Sequence, residues 1–207
     1  MIISEVFKYN SVDDFINTSG REYSDQMAEV LALGLIRDAS FYEWCILNFN
    51  EIMDKEVEAI EYLFSRIEII KQFFEAKDPT GKKEGKMLDF GCLIARGLQD
   101  FWGDKFTFAE FRGLGMIAQA YISYKREMLS KEEFYELRDM FVPFGLTISL
   151  DKFDVNMVLE AVKSDSSYDD TMKNFCLLKK IGKAVLVSDV TEEELKEGIN
   201  SLIVEWD

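Results

Sequence analysis

Residues 27–36 read Met-Ala-Glu-Val-Leu-Ala-Leu-Gly-Leu-Ile, and Glu29 is the one charged side chain among them. Apolar residues at spacings of three and four predict a mostly buried helix. Ser24 and Asp25 lie just before this stretch and are of the types that cap the amino terminus of a helix, so we predict that the helix begins there. A carboxylate on so apolar a helix is destabilising unless it is paired or binds a ligand. The stretch therefore predicts a helical core that contains one polar position, Glu29.

The same periodicity recurs along the rest of the chain. Further helices are predicted at residues 51–76, 88–101, 108–129, 131–141 and 154–163, with loops at residues 78–83 and 164–170. Residues 175–178 and 184–187 flank a polar turn and predict a short β-hairpin, and Thr191 with Glu194 predicts a capping box before a last helix. We therefore predict one domain over residues 1–207, mostly α and multi-helical, with one small β-hairpin near the carboxyl terminus.

The composition excludes several classes of partner. The 207 residues include 39 acidic and 24 basic side chains, which gives a formal net charge of −15. This charge repels phosphate backbones and anionic lipid surfaces, so we expect neither a nucleic acid nor a membrane as a partner. Cys45, Cys92 and Cys176 are widely spaced, which is typical of a reducing compartment. The start of the chain does not resemble a secretory signal, and we expect a cytoplasmic protein.

The chain contains no histidine. Histidine is the usual general acid–base near neutral pH and the commonest zinc ligand in proteins. Its absence excludes the Ser-His-Asp and Cys-His arrangements and every metal motif that contains histidine. Any chemistry would therefore depend on carboxylates, lysines, tyrosines or thiols.

Four separated stretches, in matching order and spacing, resemble the C-terminal domain of 3-dehydroquinate synthase and related sugar-phosphate cyclases. They are residues 21–38, with Arg-Glu-Tyr, Ala-Glu-Val and Gly-Leu-Ile-Arg-Asp; residues 66–78; residues 87–97 with 110–116, which contain Leu-Asp-Phe-Gly and Gly-Met; and residues 177–184. The resemblance implies a multi-helical domain that supplies a divalent metal site, usually zinc, and contacts to a seven-carbon sugar phosphate. The family has a preceding domain that binds NAD, and we expect that domain to be absent because this chain starts close to where the second domain starts.

The resemblance also implies which site positions of the family are changed in this chain. Glu29 matches the metal-ligand glutamate, whereas Cys92 and Phe108 replace the two ligand histidines, and Arg96 replaces a further active-site histidine. At the substrate-binding positions, Asp89 replaces an asparagine, Gly85 replaces an arginine, and Ala32 and Ser166 each replace a lysine. The lysine at Lys71 is retained. Phenylalanine has no donor atom and a guanidinium repels a metal cation, so we expect no bound zinc, no NAD and no catalytic residue here.

Several of these residues allow a functional and a purely structural interpretation. Glu29 keeps a metal or polar-ligand contact, or it is paired with Arg96 or Lys71. Cys92 is a reactive thiol or a small core residue. Lys71 is a relict substrate contact or a solvated or ion-paired lysine. The aromatic residues that either fill the vacated cavity or form a partner surface are Phe101, Trp102, Phe106, Phe108 and Phe111.

We rank three functional hypotheses. The first is a catalytically inactive, stand-alone homologue that acts by binding another copy of itself or a separate protein. The second is a subunit of a split cyclase or dehydrogenase that pairs with a separately encoded NAD-binding domain. The third is a small enzyme with a repurposed pocket that uses Glu29, Asp89, Cys92 and Glu110.

Overall fold

A computed structural model describes residues 11–18 and 20–204, and helices dominate this part of the chain. The α-helices are α1 (Val12–Asn17), α2 (Gly20–Arg37), α3 (Ala39–Leu47), α4 (Phe49–Met53), α5 (Val57–Lys77), α6 (Cys92–Trp102), α7 (Phe108–Lys125), α8 (Lys131–Asp139), α9 (Val155–Ser164), α10 (Tyr168–Met172) and α11 (Glu192–Asn200). Short 3-10 helices span Glu84–Asp89, Gly103–Lys105 and Val142–Phe144. The predicted mostly α, multi-helical fold is confirmed.

The predicted hairpin is also confirmed. Strands β1 (Phe175–Lys180) and β2 (Lys183–Val187) pair antiparallel. Gly182 in the turn has φ +74°, a conformation that glycine adopts without strain. Its N–H donates to the carbonyl of Leu35 at 2.8 Å, so the turn is anchored on the last part of α2.

The centre of the domain is formed by α2 and α7. From Met27 to Ile36, every residue of α2 except Glu29 is buried. Helix α7 contacts α2, α6, α8, α11 and β1, and most of its residues are buried. Helices that are apolar nearly all round are stable when other elements surround them. Among the described helices, none combines the length and the apolar character that a bilayer crossing requires.

Two glycines bring the start of α6 against the middle of α7. A Cβ atom at Gly115 would lie 2.1 Å from the carbonyl oxygen of Gly91, which shows that the backbones approach too closely for any side chain. Gly91 itself has φ +85° and precedes the first residue of α6. The buried side chain of Gln119 accepts the Gly91 N–H and donates to the carbonyl of Cys176 at 2.7 Å. Helix α7 is therefore hydrogen-bonded both to the α6 turn and to β1.

The prediction of one long helix over residues 51–76 was wrong. Helix α4 ends at Met53 and α5 begins at Val57, and between them Lys55 has φ +57°. The Lys55 ammonium group donates to the carbonyl of Ile16 at 2.9 Å, which ties the break to the end of α1. Apolar periodicity continued across a position at which the backbone turns, so the pattern did not reveal the break.

The predicted start of the first long helix was wrong as well. Helix α2 begins at Gly20, so Ser24 and Asp25 lie inside it rather than at its cap. Asp25 accepts a hydrogen bond from the hydroxyl of Thr107, at the start of α7, over 2.5 Å. A tertiary contact thus uses the carboxylate that the local pattern assigned to a cap.

Other boundaries differ by smaller amounts. The helix predicted from residue 88 begins at Cys92, because the preceding residues Glu84–Asp89 form a 3-10 helix. The stretch 164–170, predicted as a loop, contains the start of α10. Helices α1 and α3 were not predicted. The Thr191 capping box is confirmed, with reciprocal hydrogen bonds between Thr191 and Glu194.

Candidate functional site

Glu29 on α2 and Arg112 on α7 form a salt bridge between the two central helices. Arg112 Nε donates to the carbonyl of Phe90 at 3.0 Å, and Nη2 donates to the carbonyl of Leu88 at 2.9 Å. Only 3% of the Arg112 side chain is exposed, compared with 25% for Glu29. All three guanidinium nitrogens therefore have partners, and charge-assisted hydrogen bonds of this kind are the strong ones.

The surroundings of Arg112 keep it charged. Burial by itself lowers the pKa of Arg112, but the hydrogen-bonded Glu29 carboxylate and the nearby Asp89 carboxylate oppose burial, and the pKa of Arg112 is raised above its ordinary value. A fixed positive charge therefore lies beside the carboxylate that the family resemblance identifies as a metal ligand. The second oxygen of that carboxylate, Oε2, is buried and has no hydrogen-bond partner among the described residues.

The predicted pairing of Glu29 with Arg96 was wrong. Arg96 Nε donates to Asp165 Oδ2 at 2.8 Å and its Nη2 donates to Ser167 Oγ at 2.6 Å. Helix α6 thus directs Arg96 toward the end of α9, where Asp165 is the carboxyl-terminal cap residue. The other predicted partner, Lys71, is half-buried on α5 and has interactions of its own.

Cys92 is the first residue of α6, and 1% of it is exposed. Burial raises the pKa of the Cys92 thiol, against the opposing effect of the Arg112 charge. A thiol that stays protonated is a weak metal ligand and a weak nucleophile. The geometry therefore favours the interpretation of Cys92 as a small core residue.

Helices α2 and α7 are joined along a polar seam, which we call the α2–α7 seam. Positions 21, 25 and 29 of α2 are four residues apart and therefore lie on one face of the helix. The contacts of the seam are Arg21 with Glu110 at 3.1 Å, Asp25 with Thr107 at 2.5 Å, and Glu29 with Arg112. Glu110 also accepts the N–H of Thr107 at 2.8 Å as part of a capping box. The polar side chains on this face of α2 are therefore bonded to α7.

The remaining family positions are scattered between core and surface. Ala32 is buried in the core. Gly85 is buried, and its N–H donates to the carboxylate of Asp78 at 3.0 Å. Ser166 is exposed, Asp89 is half-buried, and Phe108 is 39% exposed at the first position of α7.

The aromatic residues near the start of α7 divide between the two predicted roles. Phe111 is fully buried, and Phe101, Trp102 and Phe106 are partly buried against the core. Phe106 and Phe111 pack edge to face with ring centroids 5.5 Å apart. Core filling therefore holds for most of the set, whereas Phe108 lies at the surface.

The described residues do not fit a zinc ion at the position that the resemblance implies. A catalytic zinc needs three protein ligands and an open coordination position. Glu29 is salt-bridged, Cys92 is a buried thiol, and Phe108 has no donor atom. Within residues 11–18 and 20–204, no group of three or more Cys, Asp or Glu side chains is arranged to hold a metal ion.

Arg112 is the residue that the sequence prediction missed. It lies in Phe-Arg-Gly-Leu-Gly-Met, residues 111–116, where its charge interrupts a nearly continuous apolar stretch. An isolated buried charge is destabilising unless it is paired, and the same reasoning singled out Glu29. The same reasoning about buried charges, applied to Arg112 as well as Glu29, would have suggested that these two residues pair with each other.

The same fold occurs in solved structures of larger enzymes. The chain superimposes on a 2-epi-5-epi-valiolone synthase from Streptomyces hygroscopicus subsp. jinggangensis 5008, solved with NAD+ and Zn2+ bound, with a TM-score of 0.79 and 17% identity. The match covers 93% of this chain and 54% of that one. A 2-deoxy-scyllo-inosose synthase complexed with carbaglucose-6-phosphate, NAD+ and Co2+ gives a TM-score of 0.70 at 18% identity over 93% of this chain and 55% of that one. At such identities the likeness shows the fold.

Sequence comparison identifies the family. The 3-dehydroquinate synthase C-terminal family matches residues 26–167, and the chain belongs to this family. Among curated relatives, the 3-dehydroquinate synthase of Dictyoglomus turgidum is 25% identical over 185 residues, which cover 87% of this chain and 52% of that protein. The enzyme of Acetivibrio thermocellus is 26% identical over 200 residues, which cover 95% and 55%. The chain thus spans about half the length of the relatives it matches.

Proposed function

We propose that this member of the family does not catalyse a sugar-phosphate cyclase reaction and acts instead by binding another protein. The observation that supports this most directly is the salt bridge between Arg112 and Glu29. Because Arg112 provides a permanent internal cation, a divalent metal at Glu29 would meet like charge at hydrogen-bonding distance. Water screens this repulsion only weakly, since 3% of the Arg112 side chain is exposed.

The charges around the site also argue against an anionic sugar phosphate. A ligand with a carboxylate and a phosphate needs several cationic donors to offset the loss of its hydration. Ala32, Gly85 and Ser166 supply none. Arg96 is bonded to Asp165 and Ser167, and Arg112 is bonded to Glu29, so their charges are already compensated.

Zinc binding is the direct test. The purified chain is equilibrated with ZnCl2 and dialysed, and its metal content is measured beside that of the Streptomyces hygroscopicus 2-epi-5-epi-valiolone synthase, which was solved with Zn2+ bound. We expect the enzyme to retain zinc and this chain to retain far less than one equivalent. One tightly bound zinc in this chain, lost in the Glu29→Gln variant, would overturn the proposal.

A gain-of-binding variant sharpens this test. Phe108 lies one helical turn before Arg112 on α7, so the two side chains share a face of the helix. We expect Cys92→His, Phe108→His and Arg112→Met together to bind zinc, because the variant restores two donors and removes the cation. The matched control carries both histidines and keeps Arg112. If both variants bind zinc equally, Arg112 is not what prevents binding.

The split-enzyme and repurposed-pocket hypotheses stay predictions, as does the cytoplasmic location. One observation weighs against the repurposed pocket. Glu110, one of its four residues, is engaged by the Thr107 N–H and by Arg21. Its carboxylate would have to break these contacts before it could act on a ligand.

A further inference from the structure

A cleft of about 300 Å³ lies between α3 and α8, and we call it the α3–α8 cleft. Helix α3 packs against α2, and α8 packs against α7, so the two helices lie side by side on separate supports. Ile181, in the turn of the hairpin, also lines the cleft. The lining residues are Ala39, Tyr42, Glu43, Ile46, Leu47, Glu133, Glu136, Leu137 and Ile181.

Helix α3 is unusually apolar for a helix at the surface. It reads Ala-Ser-Phe-Tyr-Glu-Trp-Cys-Ile-Leu, with Glu43 as its one charged residue, and the apolar side chains are spread around the helix. A helix of this composition is normally covered on all sides. Leu47 is nevertheless 74% exposed, at the edge of the cleft.

Tyr42 in the same cleft has an unsatisfied hydroxyl group. The residue is 5% exposed, and its hydroxyl has no hydrogen-bond partner among the described residues. Buried polar groups are nearly always hydrogen-bonded, so an orphaned hydroxyl calls for a partner that arrives with a ligand or a small rearrangement. The orphaned hydroxyl is a second sign that the surface is incomplete.

The rim of the cleft is acidic. Glu43, Glu133 and Glu136 line it, and neither Glu43 nor Glu136 makes an ion pair with a described residue. The hairpin residues Lys180 and Lys183 flank Ile181 in sequence but are not among the lining residues. The cleft therefore combines an apolar floor with carboxylates that have no cationic partner within residues 11–18 and 20–204.

We propose that the α3–α8 cleft binds an amphipathic helix of a different protein, with apolar side chains inserted between α3 and α8 and Lys or Arg facing the carboxylates. Recognition of a helix in a groove uses apolar anchors on one helix face, flanked by polar residues. A volume near the lower limit of small-ligand pockets suits one or two side chains better than a cofactor. The net charge of −15 disfavours a second copy of this chain. The inference names the kind of partner for the proposed binding function and rests on that function.

The probe is a fluorescein-labelled synthetic helix of Leu and Lys, about 18 residues long because shorter helices are marginal in water. A peptide in which Glu replaces every Lys is the matched control. We expect the Leu/Lys peptide to bind in fluorescence anisotropy and the Leu/Glu peptide not to bind. Amide chemical-shift changes in NMR spectra should cluster on α3, α8 and Ile181.

Matched variants distinguish binding in the α3–α8 cleft from general attraction of the peptide to an acidic surface. Leu47→Lys, or Glu43→Gln with Glu136→Gln, should weaken binding about tenfold or more, a change of about 1.4 kcal/mol. The controls change the same residue types elsewhere: Met157→Lys, at a 59% exposed position of α9, and Glu61→Gln with Glu75→Gln on α5. We expect the controls to change the Kd by less than about twofold.

Three outcomes would overturn this inference. Equal weakening by the control variants would show general attraction to an acidic surface. Shift changes away from α3 and α8 would place the peptide elsewhere. A dimer in sedimentation velocity that dissociates in Leu47→Lys would identify a second copy as the occupant. These outcomes leave the zinc results untouched, whereas zinc bound at Glu29 would defeat the proposed function without altering the peptide measurements.

Discussion

Two arginines, one inside α7 and one at its carboxyl-terminal cap, make several charge-assisted hydrogen bonds each and differ in burial. Arg112 pairs with Glu29 in the interior, where 3% of its side chain is exposed. Arg126, at the carboxyl-terminal cap of α7, contacts Glu194 at 2.6 Å and Asp189 at 2.8 Å, with 18% of its side chain exposed. Water can replace the partners of Arg126 but cannot reach most of Arg112. The Arg112–Glu29 pair therefore limits which ligands can bind in the interior. The contacts of Arg126 with Glu194 and Asp189 stabilise the carboxyl-terminal end of α7.

The largest expected effect is that of Arg112→Met. Removing one partner of a buried ion pair leaves the other charge uncompensated, so we expect the free energy of unfolding to fall by about 3–5 kcal/mol. Urea denaturation measures this loss. The double variant Arg112→Met with Glu29→Leu should recover most of it, since neither charge is then left buried alone. A single variant as stable as the wild type would show that the buried pair has no special role.

A smaller loss of stability is expected from Gly115→Ala. This variant tests whether close packing of α6 on α7 positions the carbonyls of Leu88 and Phe90, which bind Arg112. The added Cβ atom would meet the Gly91 carbonyl oxygen at 2.1 Å and push α6 away from α7. Overpacking of this kind costs about 1–3 kcal/mol, measured by the thermal or urea midpoint. Gly113→Ala is the matched control, because its Cβ atom would lie 3.8 Å from the Phe141 ring. Equal effects at both positions would contradict the close-approach explanation.

Arg126→Met should lower stability by about 1 kcal/mol, the upper end of the range for exposed pairs, because its contact with Glu194 is bidentate and partly buried. The loss should shrink as salt is added, because partly exposed charges are screened. Lys125→Met, at the neighbouring exposed position, serves as control. If Arg126→Met were as damaging as Arg112→Met, burial would not explain the difference between the two arginines.

The smallest expected effect is the pH dependence of stability that arises from the Arg126–Glu194 pair. Hydrogen bonds from Arg126, and to a smaller extent from Thr191, lower the pKa of Glu194 from 4.5 to about 2. Because the folded pKa is depressed, the unfolded chain binds more protons, and stability falls as the pH drops from about 4.5 toward 2. Urea midpoints across this pH range should fall more steeply for the wild type than for Arg126→Met. If the urea midpoints of the two proteins changed equally with pH, Arg126 would not be what lowers the pKa of Glu194.

The elements of the fold were predictable where local pattern and tertiary structure agree. The apolar spacing of Met27 to Ile36 indicated a buried helix, and the two apolar runs that flank the polar turn around Gly182 indicated the hairpin. The break at Lys55 was not predictable, since its left-handed backbone is tied by a hydrogen bond to Ile16, which is distant in sequence. Asp25 was assigned to a cap because its partner, Thr107, lies 82 positions away in the chain.

The candidate site was predictable in its residues but not in their contacts. The resemblance located Glu29, Cys92 and Arg96 by position in the chain, yet Arg96 turned out to bond Asp165. Arg112 was overlooked because nothing in its local sequence shows which helix it faces. Pairing between residues on different helices depends on how those helices cross, and no local pattern encodes that.

The amino-acid sequence alone determined the helical class, the family resemblance and the absence of any imidazole, because these depend on residue type and spacing. The tertiary structure decided that the guanidinium of Arg112 lies against Glu29 and that α3 leaves an acid-rimmed cleft beside α8. The reason is physical: the strength of a charge and the accessibility of an apolar side chain depend on what surrounds them. Those surroundings exist only once distant segments have packed together.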